Sequence, residues 1–126
     1  VETMATGLAR RAPVYAYEFN DFRAPAPEPM RTVPFAIGAG HALELRYLFD
    51  MGGAPALNPA QQVLSDQMIA YWSRFVTTGA PDAPGQADWP QLNPEEPQWL
   101  SLQTGGLTVT TDFGARHQCG FWASLG

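Results

Sequence analysis

The 126 residues contain no lysine and only one cysteine, Cys119. A single cysteine excludes an internal disulfide and any thiol-rich metal site. Seven arginines against twelve Asp and Glu leave a net charge of −5, and the only adjacent basic pair is Arg10-Arg11. Nucleic acid and anionic membrane faces both demand clustered positive charge, so neither is an expected partner. No apolar run approaches the ~18 residues of a membrane span, and no signal-peptide pattern opens the chain. The two histidines, His41 and His117, come without His-x-x-x-His or Cys-x-x-Cys spacing, so no metal and no cofactor are expected. No Gly-x-Ser-x-Gly surrounds Ser65, Ser73, Ser101 or Ser124, and no glycine loop suited to phosphate is present. Charged residues are scarce at 15%, while 45% are hydrophobic, a balance that favours a packed fold over disorder. The length fits one domain or a piece of a larger one. Because residue 1 is Val rather than Met, the start is expected to be a cut.

Along the chain, residues 1–12 read as the tail of a helix, with Met4, Leu8 and Ala9 on one side and Pro13 as the stop. Val14 to Phe19 reads as a strand with Val14 and Ala16 on one face and Tyr15, Tyr17 and Phe19 on the other. Two apolar faces fit a central parallel strand covered above and below. The downstream sequence offers it no obvious parallel partner. Four prolines between residues 25 and 34 mark a semi-rigid loop, and a short helical pattern covers Ala42 to Phe49. The clearest element starts at Asn58, an N-cap followed by Pro59 at the first helical position and Gln61 at the capping-box position. Leu64, Met68, Tyr71, Trp72 and Phe75 form its stripe, and Gly79 ends it. Leu100 to Leu102 and Leu107 to Thr110, split by Gly105-Gly106, read as a hairpin. A last helix is expected from Ala115 to Leu125, with Cys119, Trp122 and Leu125 turned inward.

Histidine is the side chain that titrates near neutrality unperturbed. His41 sits among Gly38, Ala39, Gly40 and Ala42, ahead of a helix. Small neighbours allow close approach of backbone or ligand. Two readings stand on spacing alone: a functional histidine at the mouth of a cleft, or a structural one bonded to backbone. Glu44, three residues on, either orients the ring or is a buried acid held by hydrogen bonds. His117 lies in a polar stretch and reads as a solvated surface residue. Cys119 reads as a small packing residue ahead of Gly120-Phe121-Trp122.

Five blocks, taken in order, resemble the C-terminal part of the type-B carboxylesterases, the family of cholinesterases and p-nitrobenzyl-type esterases. They are Val14 to Asn20, Gly38 to Phe49, Leu64 to Phe75 with Thr78 to Asp82, Trp89-Pro90, and Gln118 to Trp122. The resemblance spans about residues 13 to 123. It implies an α/β-hydrolase fold, of which residues 1–126 would be the C-terminal segment of a single domain whose remainder lies upstream. The neighbours of the strand at residues 14–19 would then lie upstream of Val1.

The triad of this fold runs nucleophile, acid, histidine along the chain. The family's catalytic histidine falls in Gly-x-x-His-x-x-Glu, here Gly38 to Glu44, which assigns that role to His41. By the same resemblance Glu44 stands behind the histidine and Leu43 helps to wall the pocket. The implied reaction is hydrolysis of a small carboxylic ester by a serine mechanism without cofactor. The serine, the acid and the oxyanion loop lie outside this chain, which is expected to be inactive alone. The alternative is a relative that has lost catalysis and serves as an adhesion or binding module. The cholinesterase cysteine near the matching Phe-Trp pairs with an upstream cysteine; no such pairing is carried over to Cys119. The chain is expected to be soluble. Arginine without lysine points to a GC-rich bacterial source, secreted or cytoplasmic.

Overall fold

A computed structural model describes residues 1–125. Helix α1 (Glu2–Ala9) leads into strand β1 (Tyr17–Phe19), a proline-rich loop with a 3₁₀ turn at Met30–Thr32, and the short helix α2 (Leu45–Leu48). The long helix α3 (Pro59–Thr78) follows, then the hairpin β2 (Trp99–Leu102) and β3 (Thr108–Thr110), and the short helices α4 (Phe113–Arg116) and α5 (Cys119–Ala123). No helix among the described residues is long and apolar enough to cross a membrane.

The α3 boundaries follow from local chemistry. The Asn58 side chain accepts from the Gln61 N–H, and Gln61 accepts from the Asn58 N–H, both at 3.0 Å, with Pro59 filling the first turn. This reciprocal cap satisfies donors that the helix itself leaves unpaired. At the far end Gly79 adopts φ 81°, and its N–H donates to the Phe75 carbonyl, the left-handed stop that glycine accepts without strain. Leu64, Met68 and Tyr71 of the expected stripe are buried, whereas Phe75 at the helix end is exposed.

The sheet corrects one expectation. Strand β1 finds a parallel partner downstream in β2, with Tyr17 opposite Leu100 and Phe19 opposite Leu102. The two strands lie about 80 residues apart in sequence, so no local pattern announces the pairing. The hairpin forms as expected, with Leu100 opposite Val109. The strand order is β1-β2-β3, so β1 is an edge among the described strands.

Strand alternation divides the core as the sequence suggests. Tyr15, Tyr17 and Phe19 pack with Leu100 and Leu102 against Tyr47, Leu64, Met68, Tyr71 and Trp89. On the other face Val14 and Ala16 meet Trp99, Leu92, Ala5, Ala9 and Phe113. Trp89 also ties the loop to the sheet, its Nε1 donating to the Ala16 carbonyl at 3.0 Å. The expected C-terminal helix is broken instead. Gln118 at φ 53° separates α4 from α5, and Trp122 and Leu125 are exposed rather than turned inward. The chain exposes 7953 Å², about a fifth more than the roughly 6,600 Å² expected of a compact 13.7 kDa monomer.

Candidate active site

His41 lies in the turn Gly40–Glu44, between the proline-rich loop and α2, and its side chain is exposed. The turn is tight. Gly38 adopts φ 62°, and a Cβ on Gly40 would come within 2.9 Å of the Ile37 side chain. Ala42, directly after His41, sits at φ 67°, a left-handed conformation that costs an L-residue about 1–2 kcal/mol. The turn is closed by i-to-i+3 bonds: Leu43 N–H to the Gly40 carbonyl at 3.2 Å, Leu45 to Ala42 at 3.3 Å and Arg46 to Leu43 at 3.3 Å. Such bonds have poorer geometry than α-helical ones.

Leu43 is buried and anchors the turn from inside, while Glu44 is half-buried. The Tyr17 hydroxyl is pushed up first by burial and then by the charge of Glu44. Among the described residues no hydrogen bond joins Glu44 to the His41 ring.

Tyr47 of α2, the helix that follows the turn, belongs to a buried polar cluster that no sequence pattern announces. Asp21, 4% exposed, follows β1. Its Oδ2 accepts from the Tyr47 hydroxyl and from Gln61 Nε2, the latter at 3.0 Å, and its Oδ1 accepts from the Arg23 N–H at 3.0 Å. Gln61 Nε2 also donates to the Arg23 carbonyl at 2.9 Å. Ser65 Oγ donates to the Tyr47 carbonyl at 2.6 Å, capping an acceptor at the end of the four-residue α2. Burial and the Asp21 carboxylate both push the Tyr47 hydroxyl far above its ordinary value, so it remains a donor at any ordinary pH. In sequence, Asn20-Asp21 reads as turn chemistry before a proline loop. Only the capping position of Gln61 hinted that the α3 start was constrained.

The second histidine is on the surface, as expected, and also has a partner there. His117 Nε2 lies 2.6 Å from Glu18 Oε1 on β1, and the ring packs tilted on Phe113 at 4.3 Å. Arg116 donates to the other Glu18 oxygen at 2.7 Å and to Asp112 at 3.0 Å. Burial raises the Glu18 carboxyl, but hydrogen bonds from Asn20, His117 and Arg116 and the guanidinium charge outweigh it and hold the group below its ordinary range. These groups share an open concavity with Phe22 and with Ile37, Gly38 and Ala39 of the loop that leads to His41. Cys119 is half-buried at the start of α5.

A parallel strand pair with helices packed on both faces of its sheet belongs to the α/β class and fits a portion of an α/β-hydrolase fold. The solved structures agree. A PNB esterase matches with a TM-score of 0.69 over 91% of this chain at 26% identity, the match covering 22% of that protein. A second PNB esterase structure matches the fold with a TM-score of 0.71. The model of the carboxylesterase family matches residues 1–122, and the chain belongs to that family. Among curated relatives, it is 35% identical over 101 residues to carboxylesterase 5A of Canis lupus familiaris, 72% of this chain and 16% of that protein. It is 32% identical over 120 residues to carboxylesterase 4A of Bos taurus, 90% of this chain and 20% of that protein. It is 31% identical over 109 residues to the bile salt-activated lipase of Homo sapiens, 85% of this chain and 13% of that protein. The chain thus spans a fifth or less of the curated relatives it matches.

Proposed function

We propose that this chain is the C-terminal, histidine-bearing segment of a single hydrolase domain that cleaves small carboxylic esters by a serine mechanism. The observation that supports this most is the family match across residues 1–122, within which Gly38 to Glu44 holds the family's histidine pattern with His41 itself exposed. The excess exposed surface and the unpaired outer edge of β1 favour a chain that packs against further parts of the same domain.

In this reading His41 removes the proton of a serine outside the chain as its oxygen attacks the ester carbonyl. The tetrahedral intermediate collapses, and His41 returns that proton to the departing alcohol. A water then attacks the acyl carbonyl while His41 takes its proton; the second intermediate collapses, His41 returns that proton to the serine oxygen, and the acyl group leaves as the carboxylic acid. An acid from elsewhere in the domain orients the ring. That division of labour accounts for a His41 without a carboxylate partner in its own segment. Leu43 fixes the turn and borders the pocket. Glu44 stands behind the turn. Nucleophile, base and water complete the reaction, so no cofactor is needed. We favour a soluble bacterial enzyme on composition.

The test is hydrolysis of p-nitrophenyl esters by the full-length protein, with and without a serine-directed organophosphate. Saturable turnover, abolished by one equivalent of bound inhibitor, is expected. Absence of turnover, or turnover indifferent to the inhibitor, contradicts the serine reading and favours a binding module.

A further inference from the structure

The His41 turn is weakly closed by its own backbone. Its bonds are of the i-to-i+3 kind, three at 3.2–3.3 Å and the last, from Tyr47 to Glu44, at 3.0 Å, and Ala42 holds an unfavourable left-handed φ. A strained turn persists only where its surroundings over-determine it. Two anchors follow His41 in sequence: Leu43 in the core, and Tyr47 six residues on.

Tyr47 is the stronger anchor because it is held at both ends. Its hydroxyl donates to Asp21 Oδ2, and its carbonyl accepts from Ser65 Oγ at 2.6 Å. Asp21 in turn is tied to the start of α3 through Gln61, whose side chain also completes the α3 cap. One buried carboxylate therefore joins the end of β1, the helix that follows His41, and the first turn of the longest helix. Asp21, Tyr47, Gln61 and Ser65 are all at most 5% exposed, so water offers little competition for these bonds.

We propose that Asp21 is a positioning residue for catalysis, acting through the Tyr47 hydroxyl to fix the height and direction of the turn that presents His41. The inference rests on reading His41 as the triad histidine. A base displaced by about 1 Å from its reacting geometry loses as much as 10²-fold in rate, so the network is a lever on kcat rather than on substrate affinity.

Two variants of the full-length protein test it. Tyr47→Phe removes only the hydroxyl. Asp21→Asn keeps the shape but places an amide where the carboxylate accepts from both Tyr47 and Gln61. Turnover of a p-nitrophenyl ester is measured per site labelled at completion by an organophosphate, so that misfolded protein is not counted. Both variants are expected to lower kcat per labelled site by about 10- to 100-fold with KM within about twofold. Tyr71→Phe loses an equivalent buried hydroxyl bond, to the Ala87 carbonyl at 2.6 Å in the second half of α3, and is expected to keep its kcat. Unchanged kcat per labelled site in Tyr47→Phe and Asp21→Asn, with only a lower melting temperature, assigns the network a structural role and overturns the proposal. His41→Ala separates the two failures. If it is inert while the network variants turn over normally, the proposal alone falls; if it stays active, the catalytic reading falls and the proposal with it.

Discussion

Glu18 and Ala42 are the two positions where individual side chains or backbone angles make claims that a measurement can reach. Glu18 faces Arg116 and His117 from α4 and the Asn20 amide, and its carboxyl is held below the ordinary range. A depressed carboxylate contributes stability above its unfolded value and loses it as pH falls through the folded value. Glu18→Gln is therefore expected to lower the melting temperature at neutral pH, with the gap to wild type closing on acidification through the carboxylate range. A gap constant with pH would refute the linkage. Ala42 at φ 67° makes the opposite kind of claim. Ala42→Gly is expected to be neutral or to stabilise by up to about 1 kcal/mol, since glycine relieves a left-handed residue. Ala70→Gly, inside α3, is expected to cost about 1 kcal/mol. Thermal melts of the two variants side by side check this, and a clear loss for Ala42→Gly contradicts the assigned backbone. Neither position was legible in sequence. Glu18 belongs to a strand whose α4 partners lie about 98 residues away, and nothing in Gly40-His41-Ala42 says which of the three turns left-handed.

The elements divide by how local their causes are. Helix α3 is written in its own residues: Asn58, Pro59 and Gln61 start it, a stripe at helical spacing buries it, and Gly79 stops it. The hairpin is likewise local, with Gly105 and Gly106 both at positive φ in its turn. The β1-β2 pairing was not legible because parallel strands need a distant partner, and the break in the last helix depends on one residue, Gln118, that carries no breaker signal. Within α3, Gln61 does two tasks that the sequence showed as one. Asn58→Ala is expected to cost about 1 kcal/mol through the lost cap. Gln61→Ala keeps the bond to the Asn58 side chain, whose donor is the Gln61 backbone N–H, but removes the reciprocal half of the cap and a donor to buried Asp21 and the Arg23 carbonyl, and is expected to cost about 2–3 kcal/mol. Denaturant melts measure both, and a Gln61→Ala loss of no more than about 1 kcal/mol would contradict a contribution from the Gln61 to Asp21 bond.

For the whole molecule, what matters is how much surface it leaves bare. Met4 and Leu8 of α1, Phe22 and Phe35, and Phe121 and Trp122 of α5 are all exposed, and among the described strands β1 and β3 each pair on one side only. The isolated chain is expected to self-associate, which sedimentation would show, and to hydrolyse p-nitrophenyl acetate no faster than background, since it offers a base without nucleophile or oxyanion donors. A stable monomer with saturable turnover of its own would contradict the segment reading. The candidate site was legible as a histidine preceded by two glycines, and its chemistry only through family resemblance, because no serine of this sequence sits in a nucleophile motif. The most direct measurement is therefore kcat for ester hydrolysis by His41→Ala and His117→Ala in the full-length protein. The account predicts a loss on the order of 10³-fold or more for His41→Ala and a change of no more than about threefold for His117→Ala, whose ring is engaged with Glu18. Retained turnover in His41→Ala, or an inert His117→Ala, would contradict it.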